Sequence, residues 1–206
     1  IQPRKNLERL IRAFANFLKI EDGKWKIGME NGKSKIDKNK PDLQSSTLKQ
    51  QSSTFHGPLS VSKLVLVGQK GWKSDDIYKL PEMLGISGHV RFLGRIPDKD
   101  LIGLYNGAAA LTFPSLFEGF GLPILEAFAC SCPVITSNVS SMPEIAGGAA
   151  VFVEPTDEES IKKAIKEVLE DKDLQKELIT KGLKRSKEFS WKKTADATAK
   201  VYTDLM

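Results

Sequence analysis

Pro114-Ser115-Leu116-Phe117-Glu118-Gly119-Phe120-Gly121-Leu122-Pro123-Ile124-Leu125-Glu126-Ala127 is the stretch whose reading decides the fold of this 206-residue chain. Ahead of it runs Ala108 to Phe113, an apolar segment of strand length. Behind it, Leu122 to Cys130 is apolar on most sides and reads as a buried helix. Between the two lie two glycines and one acid, and a second acid stands inside the helix. A strand, a glycine turn and a helix N-terminus in succession form an anion site. Backbone N–H groups point outward there, and the positive end of the helix dipole favours negative charge. Gly119-Phe120-Gly121 supplies only half of a dinucleotide fingerprint, a weak signal by itself.

The pattern continues on both sides. Upstream, Leu7, Leu10, Ile11, Phe14, Ala15 and Leu18 recur at helical spacing over 6–19. Leu64 to Val67 before Gly68 reads as a strand, and Ser74 is placed to cap a helix with Ile77, Leu80 and Leu84, perturbed at Pro81. His89 to Leu93 before Gly94 is a second strand. Asp98 is placed to cap a helix with Leu101, Leu104 and Tyr105. Downstream, Pro133 to Thr136 and Ala149 to Val153 read as strands. Ser140 or Ser141 is placed to cap a short helix through Pro143-Glu144-Ile145. Thr156-Asp157-Glu158-Glu159 is a capping box opening a helix with Ile161, Ala164, Ile165, Val168 and Leu169 on one face. Helices over 173–187 and 191–205 follow, the last expected to bury Trp191, Thr194, Ala195, Thr198, Val201, Tyr202 and Leu205. Strands alternating with helices predict a Rossmann-like α/β domain, a doubly wound parallel sheet with right-handed crossovers. Ligands bind such sheets outside the carboxyl ends of the strands, where Glu118 to Gly121 lies.

The chain is 40% hydrophobic, enough for one substantial domain. Residues 21–62 are polar and rich in lysine, serine and glutamine, too poor in apolar groups to offset their ordering entropy. They read as a surface insertion, with one hairpin signal around Asn31-Gly32 between Trp25 and Ile36. The first residue is Ile1 and no leader pattern follows, so the chain reads as part of a longer protein. A net charge of +5 admits nucleic acid, anionic lipid or a phosphorylated ligand as partner. No aromatic-interleaved basic patch matches a nucleic-acid module, and most lysines read as solvated faces. Cys130 and Cys132 stand one residue apart, a spacing of neither a zinc site nor a redox pair, and point to a reducing, cytosolic setting. With His56 and His89 the only imidazoles, no metal site is expected.

The two acids admit two readings each. A carboxylate among the apolar neighbours of Glu126 needs a partner, either a structural one such as a backbone N–H or lysine, or a ligand hydroxyl. Glu118, beside a turn, is either a charge complementing a helix end or a ligand contact.

Glu118-Gly119-Phe120-Gly121-Leu122-Pro123-Ile124-Leu125-Glu126 resembles the E-x7-E signature of family 4 glycosyltransferases, retaining enzymes of the GT-B fold. Pro3-Arg4-Lys5-Asn6 looks like their first phosphate loop. Leu64 to Gly71, Val90 to Gly94, Leu104-Tyr105, Phe113-Pro114-Ser115, Pro133 to Ser137, Met142 to Ile145 and Phe189-Ser190-Trp191 have counterparts in the same order. The likeness is greatest to mannosyltransferase-like members that build surface polysaccharide. It implies the C-terminal, donor-binding half of the fold, with the N-terminal acceptor domain and the strand ahead of Ile1 missing from this chain. It implies transfer of a sugar from a nucleotide-diphosphate sugar, GDP-mannose ahead of a UDP-sugar, to a saccharide or lipid-linked acceptor with retention. Lys5 and Arg4 would neutralise the diphosphate, and Glu118, the catalytic residue, would bond the sugar hydroxyls. Gly119, Phe120, Gly121 and Leu122 would hold sugar and diphosphate through backbone N–H groups. Glu126 would take the ribose hydroxyls, and Val90 and Arg91 would lie by the base. No metal and no cofactor is implied, and the setting is cytoplasmic with peripheral membrane contact. A non-catalytic nucleotide-sugar-binding scaffold of the same fold is the alternative; a phosphorylase would need a pyridoxal-phosphate lysine, for which no matching motif is seen. Ser131 stands where the family usually has Gly, so it must accept a positive φ at some cost or end its helix differently.

Overall fold

A computed structural model describes residues 2–24, 62–71 and 75–205. The hairpin expected within 25–36 and the cap expected at Ser74 lie outside them. A 3-10 turn, Pro3–Lys5, leads into α1, Leu7–Lys24. There follow β1 Leu64–Val67, α2 Asp75–Met83, β2 Val90–Gly94, α3 Asp98–Gly107, β3 Leu111–Phe113 and α4 Leu122–Ala129. The chain continues with β4 Val134–Ser137, α5 Met142–Ala146, β5 Ala150–Val153, α6 Glu158–Glu170, α7 Lys172–Ser186 and α8 Trp191–Asp204.

Each of the strands predicted from apolar runs forms, and all pair in parallel. They stand in two ladders. β1 pairs with β2, Leu64 opposite Val90, and β4 lies between β3 and β5, with Val134 opposite Leu111 and Ala150. Among the described residues no backbone hydrogen bond joins the ladders. Side chains join them instead. Leu10, Ile11 and Phe14 of α1 and Ile161 and Val168 of α6 pack in one cluster with Leu66 and Val90 of the first ladder and Ile135 and Val153 of the second. Successive residues of a strand point to opposite faces, so Ile135 enters this cluster while Val134 enters another. The second cluster is built with Ile124 and Phe128 of α4 and Met142 and Ile145 of α5. Helices thus cover both faces, as a doubly wound domain requires. Each large side chain fully buried this way contributes about 1.5–3 kcal/mol.

Where the structure departs from the pattern, local chemistry explains it. Asp157, not Thr156, caps α6: its carboxylate accepts from Glu159 N, while the Thr156 hydroxyl donates to Glu154. Asp98 lies inside the first turn of α3 behind Pro97, where its charge still complements the dipole. α2 runs through Pro81 but ends two residues later, as expected where a helix N–H is missing. α8 is the largest difference. Its expected core residues are exposed, Trp191 and Leu205 at 79% each. Its apolar stripe stays exposed, and local bonds are formed by the helix: the Ser190 cap on Lys193 N and the Lys192–Asp196 pair. Periodicity reported an amphipathic helix correctly, but not what it packs on.

Ser131 takes the first of its two options. Its φ is 58°, and the N–H groups of Ser131 and Cys132 donate to Phe128 O and Ala127 O at 3.1 and 2.9 Å, a complete Schellman termination. A side chain in the left-handed region costs about 1 kcal/mol, partly offset by the greater unfolded freedom of Gly. Ser131→Gly is therefore expected to stabilise the domain by roughly 0.5–1 kcal/mol, seen as a rise in Tm; an unchanged or lower Tm would show that the serine is not strained.

Candidate active site

The strand–turn–helix that opens the chain's reading is present. β3 ends at Phe113, the loop Pro114–Gly121 follows, and α4 begins at Leu122. Gly121 has φ 102°, and a Cβ there would meet the Ile124 side chain at 3.3 Å. Only glycine adopts this turn without strain, and it brings the loop straight onto the axis of α4. No side chain caps α4, so its N-terminus is left to attract an anion.

Glu118 is 7% exposed, and its partners come from the other end of the sequence. Lys5 Nζ lies 2.7 Å from Oε1 and Arg4 Nη1 lies 3.0 Å from Oε2. Lys5 Nζ also stands 4.8 Å from the centre of the Phe113 ring. The reading of Glu118 as a helix-end charge is thus replaced by an ion-paired carboxylate shared between two cations. Two cations on one acid leave a net positive charge beside an uncapped helix N-terminus.

The loop is held from below. Ser140 Oγ donates to Glu118 O at 2.7 Å and accepts from Glu118 N at 3.3 Å. Ser141 Oγ lies 2.9 Å from both Glu118 O and Phe120 O. Neither hydroxyl caps α5, contrary to expectation. Ser140 itself has φ 59°, which turns its side chain toward the loop.

Glu126 is exposed, not buried. α4 buries Ile124, Ala127 and Phe128, whereas Leu122, Glu126 and Ala129, spaced by four and three, form its open strip. An all-round apolar pattern did not predict this because Leu122 is itself exposed. Glu126 accepts a hydrogen bond from Tyr105 OH at 3.1 Å. Burial, and then the neighbouring carboxylate, push the Tyr105 phenol well above its ordinary value, so it stays a donor. Gly119, Phe120, Gly121 and Leu122 therefore lie between Glu118 and Glu126 in one loop-to-helix path.

Val90 and Arg91 are not brought to this cluster. Val90 opens β2 and is a core residue, and Arg91 Nη1 reaches the carbonyls of Ser87 and Val90 at 3.4 Å. Both lie at the amino end of their strand, whereas ligands bind beyond the carboxyl end, which here is Gly94 and the exposed Arg95. Asn6 and Tyr105 stood in the motifs with no role of their own, and Ser140 and Ser141 read as ordinary helix caps, so the sequence did not show that these four brace the cluster. Among the described residues no group of three His, Cys, Asp or Glu side chains gathers that could hold a metal ion. Among them, too, no helix is long and apolar enough to cross a membrane.

Residues 46–185, more than half of the chain, match the family model "Glycosyl transferases group 1". The chain belongs to that family. Among relatives of this glycosyltransferase domain, O-antigen chain mannosyltransferase B of Escherichia coli is 40% identical over 139 residues, covering 68% of this chain and 36% of that protein. The serotype-specific mannosyltransferase WbdA of Escherichia coli is 38% identical over 131 residues, 63% of this chain and 16% of that protein. The chain therefore spans about a third or less of the length of these curated relatives. The structure of sucrose-phosphate synthase from Thermosynechococcus elongatus matches 99% of this chain and 43% of that one, with TM-score 0.69 at 24% identity, a likeness of fold. The architecture is the Rossmann-like half of a GT-B glycosyltransferase, as predicted. The family match includes the Glu118-to-Glu126 stretch; the cationic turn at Arg4 and Lys5 lies ahead of it.

Proposed function

We propose that this domain binds the donor for a sugar transfer, a nucleotide-diphosphate sugar, and that the whole protein passes the sugar to a saccharide or lipid-linked acceptor with retention at the anomeric carbon. The observation that carries the reading is Glu118, buried and held between Arg4 and Lys5 beside the uncapped start of α4. Such a cluster suits a ligand that is anionic at one point and rich in hydroxyls next to it. The diphosphate takes Arg4, Lys5 and the N–H groups from Gly119 to Leu122, and Glu118 is then released to the sugar hydroxyls. As the bond from the anomeric carbon to the diphosphate oxygen breaks, charge grows on the leaving group where the cations and dipole already point. The acceptor oxygen forms the new bond to the anomeric carbon and gives its proton to the departing diphosphate oxygen. Glu126, steadied by Tyr105, accepts from the ribose hydroxyls, and the base lies by Gly94 and Arg95 rather than by Val90. GDP-mannose is the favoured donor, on the strength of the mannosyltransferase relatives, with a UDP-sugar second.

A titration of the chain with GDP-, UDP- and ADP-sugars tests this reading. GDP-mannose is expected to bind ahead of the other two. No binding by a folded chain would end the donor-site reading, and a UDP-sugar preference would end the choice of base. Glu126→Ala is expected to weaken nucleoside and nucleoside-diphosphate binding equally, by about tenfold for a lost charged hydrogen bond. Calorimetry with guanosine and GDP reads it; a loss confined to the diphosphate form would contradict the ribose role.

A further inference from the structure

We infer that Asn6 is the positioning residue of the cationic turn, holding Arg4 and Lys5 where the donor diphosphate must land; the inference rests on the donor-site reading above. Asn6 is 4% exposed and left-handed, with φ 58°. Its Nδ2 donates to Pro114 O at 3.0 Å and to Pro155 O at 2.6 Å. Those carbonyls follow the ends of β3 and β5, the two strands that flank β4. One amide thus ties the turn to the carboxyl ends of two strands at once. A second tie, Leu116 N to Arg4 O at 2.8 Å, runs beside it.

The chemistry does not match an ordinary helix cap. An asparagine capping a helix takes extended backbone and turns its oxygen onto the first-turn N–H groups. Asn6 is left-handed, and its Oδ1 accepts from Arg9 Nη1 at 3.0 Å. Both Nδ2 hydrogens are committed to the site loops, so the amide nitrogen serves the junction between turn and sheet while the oxygen meets α1. Asparagine alone combines tolerance of a left-handed backbone with two neutral donors on a short stem. Aspartate keeps the first and lacks the second, and glycine keeps only the backbone freedom. The flanking cations need this support. Arg4 and Lys5 sit on a three-residue turn, and the Arg4 side chain is 45% exposed. Unanchored, both would lose their common geometry on Glu118, and alignment with a diphosphate would be lost with it.

The test measures GDP and UDP against guanosine and uridine by calorimetry, for the chain and for Asn6→Gly and Asn6→Asp. Circular dichroism and Tm are recorded for each, and any variant that stays folded reads the inference. The expected result is a diphosphate affinity down about tenfold in Asn6→Gly and further in Asn6→Asp, with nucleoside affinity within twofold of the parent. In a Lys5→Ala background, Asn6→Gly should add less than a further twofold, because the group it positions is gone. Parallel loss of nucleoside and diphosphate binding, full additivity with Lys5→Ala, or no change would each overturn the role of Asn6. A parent chain that binds GDP and UDP no better than the nucleosides would overturn the donor-site reading itself.

Discussion

Glu118→Gln is expected to slow sugar transfer by the full-length protein at least about a hundredfold, the usual size of losing one preorganised polar contact in a transition state. The same substitution is expected to tighten GDP binding to this domain a few-fold. The two effects have opposite signs for one reason. In the free domain the Glu118 carboxylate occupies both cations, at 2.7 Å from Lys5 and 3.0 Å from Arg4. A diphosphate must compete with it, and a neutral amide competes poorly. The sugar loses an ionised acceptor for its hydroxyls at the same time. Stability should fall by about 1–3 kcal/mol, since Glu118 is buried and loses a charged hydrogen bond to each of two partly exposed cations. The loop keeps the Ser140 and Ser141 bonds to Glu118 O. Calorimetry at low ionic strength and a product assay on the full-length protein measure the two arms. Weaker GDP binding together with undiminished transfer would mean that Glu118 only braces the turn.

Gly182→Ala is expected to lower stability through the core. Gly182 is buried in α7 against α4, and an added Cβ would sit 2.6 Å from Phe128 Cδ1 and 3.1 Å from Phe128 Cγ. Phe128 is 1% exposed and part of a cluster with Ile124 and Met142, so the ring has little room to yield. Overpacking of this kind costs about 1–3 kcal/mol. Alanine returns up to about 1 kcal/mol through its better helix propensity, and with a ring 1% exposed the overpacking lies toward its upper end, about 2–3 kcal/mol, leaving a net loss of roughly 1–2 kcal/mol. For a chain of this length that lowers Tm by roughly 2–8 °C. Gly182→Val should lower it further. A Tm equal to that of the parent would show that α7 and α4 stand farther apart than the structure has them. The consequence for function is indirect: Phe128 belongs to the helix whose N-terminus faces the proposed diphosphate, so forcing α7 away shifts the site as well.

The fold was legible because its signals are local. Leu7 to Leu18 at helical spacing and the apolar runs at 64–67, 89–93, 108–113, 133–136 and 149–153 each report their own element. Their alternation is enough to call for parallel strands under helices. The strand–turn–helix geometry around Glu118 to Leu122 was legible for the same reason, since strand, glycine turn and helix start are contiguous. Val90 and Arg91 show the limit of a motif: the segment was recognised, yet only the packed strand shows Val90 in the core and Arg91 turned to the carbonyls of Ser87 and Val90. The expected burial of α8 and of Glu126 failed for a related cause. Periodicity gives a helix an apolar side but not a neighbour, and α4 has apolar residues on its open side too.

What the sequence by itself determined, then, is the α/β class, the order of the elements and the family. Only the tertiary structure decided that Arg4 and Lys5 close on Glu118, that Asn6 fastens that turn to Pro114 and Pro155, and that Tyr105 steadies Glu126. Hydrophobic spacing is a property of neighbouring residues and survives in any one segment. A charge pair across more than a hundred residues depends on where the packed strands and helices place two loop ends, and no local pattern encodes that distance.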